Sequence, residues 1–195
     1  MYENGKIFEG HFQFGYKEGL GYEEYPDNSF YLGNFVQGQR EGRGKFQWKN
    51  GEIYDGEWKS NKKSGSGIWK GPNNLSYVGE WQNDAIEGFG VLIEKGSRYE
   101  GEFKNYMKEG SGTLRFENGE VYTGNFKHNL PSGVGDYFWN NKDHYHGEFT
   151  NGKRHGLGVI KYSNGGFYEG NFNNDKKSGY GHESYEDNLF YRGYF

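Results

Sequence analysis

Aromatic residues and glycines alternate along this chain with a spacing of two, and the alternation itself recurs. Starting at Phe8, the leading aromatic of the pattern returns at Tyr31, Tyr54, Tyr77, Tyr99, Tyr122, Tyr145, Tyr168 and Tyr191. The step is 23 residues, shortened to 22 once, between Tyr77 and Tyr99. Two residues after each stands a glycine, from Gly10 to Gly193. Two further on comes a second aromatic: Phe12, Phe35, Trp58, Trp81, Phe103, Phe126, Phe149, Phe172 and Phe195. Later in each unit a Gly-x-Gly follows, from Gly19/Gly21 to Gly179/Gly181, and then residues such as Phe46, Trp48, Trp69, Phe116, Trp139 and Tyr162. A period of two is strand spacing, because successive side chains of a strand point to opposite faces. Each unit therefore reads as two strands. Tyr, Gly and the second aromatic share one face, and the other face of the first strand is polar, with Glu57, Glu80, Glu102 and Glu148 in equivalent places.

Residue pairs that tolerate positive φ close the units: Asp27-Asn28, Asn50-Gly51, Asn73-Asn74, Lys95-Gly96, Asn118-Gly119, Asn164-Gly165 and Asp187-Asn188, with Asn141-Lys142 a poorer fit. The expected fold is all-β: an elongated, single-layer antiparallel β-meander of 23-residue hairpin repeats, roughly sixteen strands and on the order of 75–80 Å long at ~4.8 Å per strand. One array spans residues 1–195, with units starting at 8, 31, 54, 77, 99, 122, 145 and 168. Partial units occupy 1–7, where Tyr2, Asn4 and Gly5 stand as the end of a preceding unit, and 191–195. Both edges would be raw strands, which invite pairing. Part of a longer array, partner-capped ends or self-association is the expectation.

Glycine weakens a strand unless its bare backbone is covered, and a ring from a neighbouring strand can lie on that site. The repeat thus builds its cohesion from ring-on-backbone contacts, each unit leaning on the next.

Composition narrows the function. The 195 residues include 35 Gly, 18 Tyr, 16 Phe and 5 Trp, but no Cys. Disulfide frameworks and thiolate metal sites are excluded. The aromatic content argues against disorder. A formal charge of −4 gives no basic footprint for nucleic acid.

The unit resembles the MORN (membrane occupation and recognition nexus) repeat, whose pattern is Tyr-x-Gly-x-Trp-x-x-Gly-Lys-x-x-Gly-x-Gly. The run Tyr145-His146-Gly147-Glu148-Phe149-Thr150-Asn151-Gly152-Lys153-Arg154-His155-Gly156-Leu157-Gly158 carries it here, and Tyr54 to Gly67 is also similar. The mid-loop glycine is kept at Gly15, Gly38 and Gly152 but replaced by Asn61, Asp84, Tyr106, Asn129 and Asp175, which puts uniform loop geometry in question. The resemblance implies a non-enzymatic scaffold with protein partners and no cofactor, in the cytoplasm and cytoskeleton. Ciliary or flagellar axonemes, radial spokes included, are the first setting it suggests. It also implies two alternatives, a phosphoinositide-binding membrane tether and a regulatory segment of a larger enzyme.

Residue by residue, no catalytic constellation emerges. The Gly-x-Gly pairs lie in strands with no helix following, so they fail the context of a dinucleotide loop. His144, His146 and Glu148 alternate on one strand face and could offer zinc ligands, but a solvated polar row fits the pattern better because metal sites draw ligands from a second element. The hairpin loops hold Lys62, Lys63, Lys153, Arg154, Lys176 and Lys177, candidates for an anionic-lipid edge, alongside Glu18, Glu41, Asp84, Glu87, Glu109 and Asp175. The candidate partner-binding surface is the aromatic face: Tyr31, Phe35, Tyr54, Trp58, Tyr77, Trp81, Tyr99, Phe103, Tyr122, Phe126, Tyr145, Phe149, Tyr168 and Phe172. Its area would be on the order of 1,500 Å², above the few hundred Å² usual for an exposed apolar patch.

Overall fold

The structure is a computed structural model that describes residues 5–185 and 189–195. Tyr2, Asn4 and the Asp187-Asn188 turn lie outside the described residues. The fold is all-β, with seventeen strands and no helix among the described residues. The strand beyond the expected sixteen opens the ninth unit.

The chain forms two compact units, the first running to Lys95 and including Lys104–Tyr106, the second comprising Gly96–Phe103 and Met107–Phe195. The first holds β1 (Ile7–Gln13), β2 (Tyr16–Glu24), β3 (Phe30–Val36), β4 (Gln39–Gln47), β5 (Ile53–Lys59), β6 (Lys62–Lys70), β7 (Ser76–Gln82) and β8 (Ala85–Glu94). The second holds β9 (Ser97–Lys104), β10 (Met107–Arg115), β11 (Val121–Lys127), β12 (Leu130–Phe138), β13 (His144–Thr150), β14 (Lys153–Lys161), β15 (Phe167–Asn173), β16 (Lys176–Ser184) and β17 (Phe190–Tyr194). Within each unit every strand pairs antiparallel with the next in sequence, an open meander.

Glycines set the register. Gly33 pairs with Gly44, Gly44 with Gly56, and Gly56 with Gly67; in the second unit Gly135 pairs with Gly147, Gly147 with Gly158, and Gly158 with Gly170. A lane without side chains thus crosses the strands. Next to it the hairpin register shifts: from Gly147↔Gly158 to Phe149↔Arg154, β13 advances two residues and β14 four. The extra length is a bulge, and Gly156 within it takes φ 68, a left-handed conformation that glycine adopts without steric cost.

The turns reverse the sequence expectation. The two-residue turns with both φ positive, type I′, are the mid-unit loops, such as Gln37-Gly38 (φ 48 and 79) and Asn83-Asp84 (φ 50 and 72). They keep one geometry even where Asn61, Asp84, Tyr106, Asn129 or Asp175 replaces glycine. The unit-closing loops are mostly three residues long: Gly51 N–H donates to Trp48 O at 3.0 Å and Trp48 N–H to Glu52 O at 2.9 Å, with Gly51 left-handed. Lys142 adopts this conformation too, at φ 71. The 22-residue unit is accommodated at Lys95-Gly96, where both residues have positive φ (48 and 77), so the missing residue comes out of the loop and not the strands.

Candidate functional site

The repeat at β13–β14 shows how one unit is assembled. Tyr145 is fully buried, its ring lying over the Gly147–Gly158 pair; a Cβ on Gly158 would sit 2.5 Å from the phenol oxygen. Two rings meet this phenol edge-on, Phe149 of the same unit at 5.2 Å and Phe172 of the next at 5.0 Å. The same bracket recurs for Tyr31 between Phe35 and Trp58, and for Tyr54 between Trp58 and Trp81. Each tyrosine hydroxyl donates to the carbonyl three residues ahead, as in Tyr122 to Asn125 and Tyr168 to Asn171, both at 2.9 Å. Burial pushes the Tyr77 and Tyr122 phenols up to about 12 and raises those of Tyr31, Tyr54, Tyr99, Tyr145 and Tyr168.

The fourteen rings expected to receive a partner are therefore interior. Tyr31, Tyr54, Tyr77, Tyr99, Tyr122, Tyr145 and Tyr168 are at most 1 % exposed, and Phe35, Trp58, Trp81, Phe103, Phe126, Phe149 and Phe172 at most 5 %. They cover the glycine lane and one another, which is why the sequence pattern overstates the apolar area on offer.

The basic loop residues divide into two groups. Lys63 lies 4.2 Å from the Trp81 ring centre, Arg154 lies 5.4 Å from Phe172 and bonds Asp175, and Lys177 lies 4.8 Å from Tyr168 and pairs with Glu183. These are cation–π lids on the ring layer. Burial lowers the Lys63 ammonium; for Lys177 burial is the largest single influence and acts in the same direction, but the hydrogen bonds and charges of Glu183 and Tyr162 together outweigh it and the value rises. Lys62, Lys153 and Lys176 remain exposed.

Acidic and amide groups in the loops tie one repeat to the next. Asp84 Oδ1 accepts the Lys63 N–H at 2.8 Å, Asn129 Oδ1 the Lys108 N–H at 2.8 Å, and Asp175 Oδ1 the Arg154 N–H at 3.0 Å. Glu18, Glu41, Glu87 and Glu109 accept the first turn N–H of the following repeat at 2.8–3.1 Å. The strand glutamates are likewise structural: Glu57, Glu80, Glu102 and Glu148 accept the N–H between the two glycines of the bulge, at 3.0–3.2 Å. Glu148 is thereby committed to Leu157, while His144 and His146 both contact Asp136 Oδ1, at 2.7 and 3.0 Å, and His144 stacks on Phe138.

The opposite face is not the polar surface expected. The second strands add apolar side chains between their glycines: Leu20, Phe89, Val134, Leu157 and Tyr180 are all more than half exposed, Leu157 at 62 %. In the second unit these border a 580 Å³ groove floored by Gly147, Gly158, Gly170 and Gly181, with His146, Glu169 and His182 along it. Sequence reasoning missed this surface because the glutamates of the first strands set the apparent polarity. The x of each Gly-x-Gly was the available signal.

A search of curated proteins finds no match. Solved structures include the TCP10 domain of Danio rerio CPAP in complex with a peptide of Danio rerio STIL, at 14 % identity and a TM-score of 0.55, covering 97 % of this chain and 83 % of that one. The G-box domain of the microcephaly protein CPAP matches at 12 % identity and a TM-score of 0.52, over 88 % of this chain and 90 % of that one. At such identities the likeness is one of fold. The MORN repeat family model matches residues 8–30, 31–53, 54–76, 77–98, 99–121, 122–144, 145–167 and 168–189, so the chain belongs to the MORN repeat family.

Proposed function

We propose that this chain is a non-enzymatic scaffold that docks an extended segment of a partner protein on the glycine-floored face, within a ciliary, flagellar or other cytoskeletal assembly. The observation that carries the reading is the groove itself. Leu157, Val134 and Tyr180 stand exposed beside a backbone that lacks side chains, while the ring layer on the other face is already packed. An extended chain can lie flat against a backbone without side chains and place alternate side chains between the apolar ones. Two observations on other proteins support it: a domain of the same fold is solved with a partner's peptide, and the CPAP G-box domain is described as suggesting a role in centriole elongation. A membrane tether would rest on Lys62, Lys153 and Lys176, and ~1 kcal/mol per basic residue gives weak attachment.

The test is affinity purification of the intact chain followed by cross-link mapping of whatever protein is bound. Cross-links should fall on the face of Leu157 and Tyr180, and Leu157→Asp should abolish capture. Retained capture by that variant, or cross-links confined to the ring face, would refute the assignment.

A further inference from the structure

The ring face carries a row of lids at the second residue after each type I′ turn. Lys17, Arg40, Lys63, Lys108, Arg154 and Lys177 lie 4.2–5.4 Å from ring centres. Two repeats depart from the row. Ile86 fills its place and is buried. Pro131 is too compact to do so, and a 450 Å³ cavity opens there, bordered by Phe116, Leu130, Pro131, Tyr137, Trp139 and Phe149. A second cavity of 340 Å³ adjoins it, sharing Trp139, Arg154 and Asp175 and reaching Ile160 and Tyr162.

Phe116, Trp139 and Tyr162 occupy the same repeat position, so they form ridges separated by two strands, ~9.6 Å. A polyproline II helix advances three residues in ~9.3 Å. Each third residue of such a helix, crossing the strands, meets the next slot between ridges. An α-helix has a pitch of ~5.4 Å and seven residues rise ~10.5 Å, which fits this spacing less well. The chemistry agrees. Polyproline II leaves its carbonyls unbonded, and aromatic-lined grooves receive it. Trp58 and Trp81 donate their indole N–H to Gly44 and Gly67. Among the described residues the Trp139 indole N–H has no acceptor and is available for a peptide carbonyl.

We propose that the gap at Pro131 is a binding site for a proline-rich polypeptide in the polyproline II conformation, with an apolar side chain at every third position, one of them seated over Phe149. The site lies on the other face from the groove bordered by Leu157 and Tyr180 and does not depend on it.

The experiment is fluorescence anisotropy with the full chain and a labelled peptide of repeating Leu-Pro-Pro. The controls are a peptide with Leu at every fourth position and an amphipathic α-helical peptide of similar apolar content. Saturable binding of the first, weakened about tenfold or more by Trp139→Ala and by Pro131→Arg and unchanged by Leu157→Asp, is the expected result. Pro131→Arg installs a lid that other repeats of this chain already carry, and unfolding temperatures measured in parallel show that the variants remain folded. Absence of saturable binding, insensitivity to both ring-face variants, or preference for the helical or mis-spaced peptide would overturn the proposal.

Discussion

The Tyr145 hydroxyl donates to the carbonyl of Glu148 at 2.9 Å, so the ring that covers the glycine pair also satisfies backbone at the bulge. The two roles separate in substitution. Tyr145→Phe keeps the ring and strands the carbonyl, a loss of about 1–3 kcal/mol. Tyr145→Ala also uncovers Gly147 and Gly158, and a loss of about 3–5 kcal/mol is expected. Denaturant midpoints of the two variants check the ordering; equal losses would show that the ring itself contributes little.

Glycine at the paired positions is required by space. A Cβ on Gly158 would stand 2.5 Å from both the phenol oxygen and a ring carbon of Tyr145, and neither Phe149 nor Phe172 leaves room for that ring to withdraw. Gly158→Val should destabilise the repeat by about 3 kcal/mol or more, as overpacking at a site without slack does. In a repeat array the damage is expected to be local. Faster amide exchange in β13–β15 with little change in β2–β4 is the predicted signature, and unaltered exchange throughout would contradict the packing.

The strand repeat, the glycine-on-ring contact and the family were legible in the sequence because each depends on spacing alone. The burial of the fourteen rings was not. It depends on rings of adjacent repeats, such as Tyr145 and Phe172, meeting edge-on, and their separation in sequence does not fix that angle. Loop charges misled for a related reason. Lys63, Arg154 and Lys177 read as exposed ammonium and guanidinium groups, but their aliphatic stems follow the ring layer and hold the charges over it. The loss of the mid-loop glycine seemed to threaten loop geometry. Asn61, Asp84, Asn129 and Asp175 instead keep the left-handed turn and add a hydrogen bond to the preceding repeat.

Those added hydrogen bonds make a separate prediction. Asp84 spans repeats through its Oδ1, 2.8 Å from the Lys63 N–H, while its own N–H donates to Lys63 O at 3.0 Å. Asp84→Gly retains a residue suited to φ 72 and removes only the carboxylate. A loss of about 1 kcal/mol is expected, with faster exchange of the Lys63 amide. Unchanged exchange at Lys63 would show that the carboxylate bond adds nothing to the backbone one.

Lys142 holds φ 71 in an exposed loop where comparable loops use glycine. A left-handed residue with a Cβ costs about 1–2 kcal/mol, and the extra freedom of glycine in the unfolded chain returns part of that. Lys142→Gly should therefore stabilise the protein by ~0.5–1 kcal/mol, read as a higher denaturant midpoint. A lower midpoint would place a stabilising role on the lysine side chain.

Alkaline pH should dissolve the ring layer. The Tyr77 and Tyr122 phenols are pushed up to about 12 by burial, and those of Tyr31, Tyr54, Tyr99, Tyr145 and Tyr168 are raised as well. An unfolded chain ionises its tyrosines near pH ~10. Above that value the unfolded state loses protons that the folded state retains, so stability falls as pH rises, through about 12 for Tyr77 and Tyr122. Below pH ~10 these phenols are neutral in both states and their contribution is constant. Because several buried phenols act together, their tyrosinate absorbance should appear well above the ordinary tyrosine value, coincident with loss of β-sheet circular dichroism. A single titration near the ordinary tyrosine value, with the sheet still intact, would mean that these hydroxyls reach solvent and that the ring layer is not sealed.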